Sequence, residues 1–558
     1  MKKQLLLFIF LLIGLNACDS LPQMGGDEGG NILQKQEKKN PNYVCDMISN
    51  KIHSFSFLMK VNNKQAEHIR EETLDAYTAN NYQLLWQNEK SDAYSDNVQT
   101  LLETLRKADE HGLSPQNYKL EVIDTLFNQI YTQQKFKEEQ VLLNKIDLDL
   151  SLTASALAFI SDLSNGQLPH RWDIPTSKSN LSQVLISALA KNEVKDVIQQ
   201  ITPKFIGYDG MVKALNQYKK IKKEGGFPKI TTSGLSYNKT NKAAGKLARY
   251  LYLTGDYPDK VEKEASVKYD KKLTAAVKNF QKRHGLSASG SVNNTTLKNL
   301  NRPIEETLKQ LELNLERYRW LPDDLGERYV FVNIPEFMIK VVEDDKQVMD
   351  MRAVVGGTSS RTEVFTEPIT HIVFSPIWNI PQSISRDDII KWLDVNPGVL
   401  YVGDVLSYYK GKLIKDPYSV DWKAARKDWR NYTFKQQPTE QNSLGDVKFM
   451  FPNKYSIYLH DTPAKEYFQN RVRAESAGCV RVAQPVDLAK FLLDDQTDWS
   501  TRRIKNAMAG TKQRWAHLTK AVPVYLYYLT AYVDKDGQLN FRPDLYRHDR
   551  RQIKKFEL

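Results

Sequence analysis

The 558-residue sequence predicts a multidomain α+β protein: a helical scaffold, a small three-helix unit, and a mostly β C-terminal domain carrying a capping insertion. Three observations carry that prediction. Apolar residues recur at helical spacing over most of the chain from about residue 44 to 302. From Tyr329 onward the pattern changes to short, β-branched runs. At about 150 residues per domain, the length itself asks for three or four domains.

Composition narrows the class. Hydrophobic residues make up 41% and charged residues 26%, which excludes a long disordered chain, a fibrous protein and a multi-span membrane protein. The 79 Lys+Arg against 67 Asp+Glu give a net charge of +12 with no block of like charges. That is no nucleic-acid tail, although a basic surface suits the polyanions of a cell envelope. Cys18, Cys45 and Cys479 are the only cysteines, too few for a disulfide scaffold or a multi-cysteine metal cluster.

Residues 1–17 read as a signal peptide. Lys2 and Lys3 precede the apolar stretch Leu5 to Leu15, which is shorter than the roughly 20 residues a spanning helix needs. Leu15-Asn16-Ala17-Cys18 resembles a bacterial lipobox. That resemblance implies acylation of Cys18, which becomes the mature N-terminus and a firm membrane anchor. Residues 18–43, with Gly25-Gly26, Gly29-Gly30 and Pro41, form a tether. The expected location is the periplasm, anchored by lipid to the inner or outer membrane.

Residues 44–235 form the scaffold. Val98, Leu101, Leu102 and Leu105 share one helical face ending near His111-Gly112, and Leu148, Leu152, Ala156, Phe159 and Leu163 share another, closed by Asn165-Gly166. Residues 240–302 form the three-helix unit, with faces at Leu247, Tyr250 and Leu251, then Leu273, Val277 and Phe280 behind the N-cap Asp270, then Asn294 to Leu300. After a helical connector at Leu311 to Trp320, the domain at 325–548 begins. Tyr329–Ile334 and Phe337–Val342 read as a hairpin, Met351–Val355 and His371–Phe374 as strands, and Ala521–Val533 as the segment that closes the sheet. Residues 385–440 break the strand rhythm and read as an insertion capping a cleft. Residues 549–558 are a C-terminal tail.

The chemistry concentrates between Tyr458 and Val482. His460 ends an apolar strand pattern, and Cys479 follows 19 residues later in the small-residue turn Ser476-Ala477-Gly478-Cys479. A thiolate is the nucleophile, and a nearby imidazole activates it. Gly478 permits close backbone approach, amides of the turn are oxyanion donors, and Arg481 brings positive charge. From residue types alone Cys479 reads either as a nucleophile or as a small buried hydrophobe. A metal site lacks a third ligand, and Ser476 lacks a nucleophile-elbow context.

His460-Asp461-Thr462-Pro463 followed by SAGCVRV from Ser476 resembles the signature of the YkuD-type L,D-transpeptidase catalytic domain. The likeness extends to the large YcbB-like branch through ADEHGLSPQNY from Ala108, RYRWLP from Arg317, VVGG from Val354, PIWNIP from Pro376 and NSLGDVKFMFPN from Asn442. It continues in the stretch that begins at Val522. Ala276, Val277, Phe280, Gln281, Gly285, Leu286, Gly290, Thr296 and Leu300 likewise resemble the peptidoglycan-binding domain family.

The resemblance implies a cysteine-dependent acyltransferase with Cys479 as nucleophile and His460 as general base, its ring held by a backbone carbonyl. Gly478, Ser476 and Arg481 become oxyanion or supporting residues, and Trp378 and Asn379 fall in a motif near the cleft, where a structural role is equally open. His371, the other histidine close in sequence, reads as structural. Where many relatives have His, this chain has Ala477. The implied partners are peptidoglycan stem peptides and glycan, with no nucleic acid, no metal and no organic cofactor. The implied reaction joins two diaminopimelate residues through a thioester. An L,D-carboxypeptidase or endopeptidase using the same dyad, and a non-catalytic peptidoglycan-binding lipoprotein, stay open at this point.

Overall fold

A computed structural model describes residues 43–54, 63–87, 95–131, 138–175 and 180–556. The expected signal segment, Cys18 and the tether up to residue 42 lie outside the described residues. No helix among the described residues is long and apolar enough to cross a membrane. The chain divides into two compact units. The first runs to Gln167 and includes Thr176–Lys204, and the second takes Leu168–Pro175 and everything from Phe205.

The first unit is built around the helix Glu138–Asn165, whose residues from Leu148 to Leu163 are buried on all sides. A helix apolar on one face alone would leave its other face wet, so neighbours surround this one. They are Asn63–Ala79, Asp96–Arg106, Leu120–Tyr131 and Leu181–Lys191. Asp149 sits inside it and accepts hydrogen bonds from Tyr77 Oη, Leu85 N and Trp86 N. Burial pushes its carboxyl up to about 6 against those donors. The helix expected to stop near Gly112 ends at Arg106. A single 3₁₀ turn, Ala108–His111, intervenes, and Gly112 at φ +74° closes it.

The second unit begins earlier than a scaffold extending to residue 235 implies. Tyr208, Met211, Leu215 and Tyr218 form the buried face of the helix Tyr208–Lys223 and pack against the helix Ile304–Arg319 in the C-terminal core. The three-helix unit comprises Lys242–Leu253, Lys271–Arg283 and Asn294–Leu300, with Asp270 capping the second helix at Lys272 N and Leu273 N. Gln281 in this unit is a brace. Its amide reaches Ser291 O and Thr296 Oγ1, and its carbonyl takes the Gly290 N–H at 2.8 Å. The segment expected as a tail is the helix His548–Phe556, whose Asp549 pairs with the fully buried Arg317 at 2.7 Å. A buried guanidinium without a partner is strongly unfavourable, which fixes this helix in place.

The strands of the C-terminal domain are β1 Arg328–Asn333, β2 Met338–Glu343, β3 Lys346–Gly356, β4 Phe365–Phe374, β5 Trp378–Asn379, β6 Val405–Tyr409, β7 Lys412–Leu413, β8 Tyr432–Gln436, β9 Val447–Met450, β10 Leu459–His460, β11 Ala474–Ser476, β12 Val480–Val482 and β13 Arg514–Tyr527. Among the described residues the main sheet has nine strands in the order β11-β3-β12-β10-β9-β4-β13-β1-β2. The long β3 also pairs with β2, so the sheet closes on itself. The closing strand starts at Arg514 rather than Ala521, interrupted by a register shift between His517 and Val522, while Ala531–Val533 leaves to pair with Leu539–Phe541. The insertion has its own sheet, β5-β8-β6-β7, and its own core of Ile389, Ile390, Leu393, Leu400, Trp422 and Phe434. Its first strand, Trp378–Asn379, lies before residue 385, so the PIWNIP motif is part of the cap.

Candidate functional site

The site follows from the pairing of β10 with β12. They run parallel, with Leu459 opposite Val480 and His460 opposite Arg481. On a strand, successive side chains point to opposite faces. Leu459, Val480, Val482 and Phe449 therefore enter the core. Tyr458, His460, Cys479 and Arg481 share the other face, and Lys448 joins them because β9 pairs it with His460. Sequence separation of 19 residues thus becomes adjacency on neighbouring strands.

The turn carrying the sulfur is held from both ends. Ser476 Oγ donates to the Cys479 carbonyl at 2.5 Å and accepts the Gly478 N–H at 3.1 Å. Thr362, itself buried, donates from Oγ1 to the Gly478 carbonyl at 2.7 Å and accepts the Gly356 N–H at 2.9 Å. Gly478 has φ +121°, and a Cβ there would lie 3.3 Å from the Arg361 carbonyl, so glycine is required. The Gly478 amide is bound to Ser476, so Gly478 and Ser476 shape the turn.

Cys479 is half-buried, and its sulfur sits against the Ser456 carbonyl at 3.8 Å. Asn453 organises the loop that presents this carbonyl, donating to Phe451 O and Ile457 O and accepting from Tyr455 N and Ile457 N. Burial pushes the Cys479 thiol above its usual range. The Tyr458 backbone and hydroxyl, then the Lys448 and Arg481 charges, oppose that rise. The Tyr458 hydroxyl also meets the indole of Trp378, linking the cap to the sulfur through one phenol.

His460 is buried, and its Nδ1 lies against the Asp461 carbonyl. A carbonyl only accepts, so Nδ1 carries the proton and Nε2 keeps its lone pair. Burial, then the Arg481 charge, depress the imidazole to about 3, while the carbonyls of Asp461 and Leu444 work the other way. Those carbonyls are placed by turn chemistry. The Asn442 side chain accepts the Leu444 N–H at 2.8 Å, and Asp461 is held by Asp446 N and by Lys465. Arg481 is largely buried with its guanidinium over the Tyr467 ring, and its Nε is buried without a hydrogen-bond partner.

Of the sequence-predicted residues, the structure brings Cys479, His460, Arg481, Ser476, Gly478 and Trp378 to one locality. Asn379 is exposed on the strand next to Trp378 and pairs with Lys435 in the cap sheet, so alternation turns it away from the sulfur. Lys448, Tyr458, Asn453 and Thr362 were missed. Alternation back from His460 points to Tyr458, but nothing local marks the other three. Among the described residues no three His, Cys, Asp or Glu side chains gather as metal ligands.

Comparison with known families locates three domains. Residues 327–512 match the L,D-transpeptidase catalytic domain, 241–300 the family described as "Putative peptidoglycan binding domain", and 71–215 the Scaffold domain. A Haemophilus influenzae protein named "Putative L,D-transpeptidase" is 31% identical over 242 residues, which are 43% of this chain and 48% of that protein. The chain thus spans about half the length of the curated relative it matches.

Proposed function

Because the chain carries a YkuD-type L,D-transpeptidase catalytic domain, we propose that it cross-links peptidoglycan through a thioester on Cys479. Cys479 attacks the carbonyl at the L-centre of a diaminopimelate residue in a tetrapeptide stem. Its thiol proton passes to His460 Nε2 and then to the departing amine of the terminal D-alanine. The side-chain amine of a second stem attacks the thioester, forms the new amide and returns the proton to the thiol. The observation that carries this reading is the shared sheet face of His460, Arg481 and Cys479, with the imidazole held as an acceptor by the Asp461 carbonyl.

The electrostatics favour a neutral resting pair. With the imidazole depressed to about 3 and the thiol pushed above its usual range, neither group is charged near neutral pH. Proton transfer then accompanies attack, which is general-base catalysis rather than a preformed ion pair. The Tyr458 hydroxyl, aimed at the sulfur, is placed to follow charge as it develops. Arg481, with an unpartnered Nε, is the residue to meet a stem carboxylate. The cap, tied to Tyr458 through Trp378, shields the thioester from water. The basic N-terminal segment ending in Cys18 supports a lipid-anchored form in the periplasm.

The test is mass spectrometry of purified muropeptides incubated with the wild-type protein and with Cys479→Ala. Cysteine-dependent dimers joined between two diaminopimelate residues are the expected result. Shortened monomers without dimers would replace transpeptidation by hydrolysis. Identical profiles for the two proteins would leave a wall-binding role.

A further inference from the structure

The strand register places a second group of side chains on the face that carries Cys479. Met450 pairs with His371, and His371 with His517. Since Lys448 pairs with His460, one further step puts Tyr458 beside Met450, and the β10–β12 register puts Cys479 beside Tyr458. The result is a row crossing five strands: Cys479, Tyr458, Met450, His371, His517. Trp515 stands on the same face, two residues before His517 on β13.

The far end of this row is an open aromatic shelf. His371 and Trp515 stack at 5.0 Å and 25°, and the His517 ring lies 5.5 Å from His371. Trp515 is 53% exposed, an unusual state for the largest apolar side chain on a strand whose neighbour Ala516 is buried. His371 Nδ1 lies 2.9 Å from Thr370 Oγ1, which leaves its other ring nitrogen and those of His517 to meet polar ligand groups. An exposed indole flanked by two imidazoles offers an apolar platform with hydrogen-bonding edges, the chemistry that recognises a pyranose ring bearing hydroxyl and acetamide groups.

The distance identifies which sugar. Adjacent strands are about 4.8 Å apart, so measured along the sheet His371 is about 14 Å and β13, which carries His517 and Trp515, about 19 Å from Cys479, three and four strands away. An extended chain spans about 3.5 Å per residue. The stem from the attacked carbonyl back through its first residue and its link to the glycan is about four residue-lengths, or about 14 Å. A stem laid along the row with its scissile bond at Cys479 brings its sugar onto the shelf.

We infer that Trp515, His371 and His517 form a subsite for the N-acetylated sugar that bears the donor stem. The inference rests on the proposed activity and deepens it. The row's middle members, Tyr458 and Met450, then underlie the peptide. His371, which reads from sequence as structural, becomes a binding residue.

The test compares two donors, a free tetrapeptide stem and the same stem attached to its N-acetylmuramyl sugar. The readout is the rate of Cys479 thioester formation at subsaturating donor, by intact-protein mass spectrometry. Trp515→Ala is expected to slow acylation by the sugar-bearing stem about five- to tenfold, the size of one lost ring contact, and to leave the free peptide unchanged. Trp515→Phe is expected to recover most of the loss. Equal slowing of both donors, or of neither, would overturn the subsite. Direct binding of the sugar-bearing stem to Cys479→Ala, with and without Trp515→Ala, decides the subsite separately from catalysis. Absence of thioester in the wild type with both donors would overturn the proposed activity, while equal binding with and without Trp515 would overturn the shelf.

Discussion

The two faces of β10 and β12 divide the work of this domain between them. Leu459, Val480 and Val482 point inward and are buried in the apolar core. Tyr458, His460, Cys479 and Arg481, interleaved with them, point outward and hold the titratable and nucleophilic groups. Stability and chemistry are therefore carried by alternate residues of the same short strands. A rigid inner face holds the outer groups in register, and the outer face carries the titratable groups whose pKa values burial shifts.

The comparison predicts that outer-face changes remove activity without unfolding, and that inner-face changes do the reverse. Cys479→Ala is the largest expected effect: thioester formation falls by at least about 10³-fold with the melting temperature unchanged, read by mass spectrometry and calorimetry. A lowered melting temperature would show that the sulfur is a packing atom after all. His460→Gln follows, with acylation slowed by about 10²–10⁴-fold and the fold retained.

On the inner face, Leu459→Ala is expected to cost about 2–5 kcal/mol of stability, measured by denaturant unfolding, because a fully buried side chain leaves a cavity. Its residual folded fraction keeps its turnover per thiol. Thr362→Val tests the clamp between the faces. It deprives the Gly478 carbonyl and the Gly356 amide of their partner, at about 1–3 kcal/mol, and slows acylation as the turn loosens.

The smallest effect sharpens the electrostatic account. A neutral thiol beside a neutral imidazole predicts that alkylation of Cys479 by iodoacetamide rises steadily between pH 6 and pH 8, about tenfold per unit. The sign follows from the shifts: burial favours the neutral form of both groups, so the thiolate appears only as pH approaches the raised thiol value. A plateau across that range would mean a preformed ion pair.

Much of the layout was legible without coordinates. The change from helical spacing to β-branched runs marked the C-terminal domain. Asp270 announced a helix start, and its side chain caps Lys272 and Leu273. His460 and Cys479 stood out because few residue types perform acyl transfer. Less legible were the chain's final passage into the second unit at Phe205 and the cap's first strand at Trp378, where short motifs are recruited by distant partners. The bond from the Gly478 amide to Ser476 was not legible, because a turn's hydrogen bonds depend on which hydroxyl folds over it.

By itself, then, the sequence determined the order of the domains, the α+β division and His460 and Cys479 as the candidate pair, since periodicity and residue chemistry are local properties. Only the tertiary structure decided that Lys448, Tyr458, His371 and Trp515 share a face with Cys479. Alternation says which residues of one strand lie together. Register between strands from segments as far apart as residues 371, 448, 479 and 515 is set by closure of the sheet around its core, and a slip of one residue would send each of them to the other side.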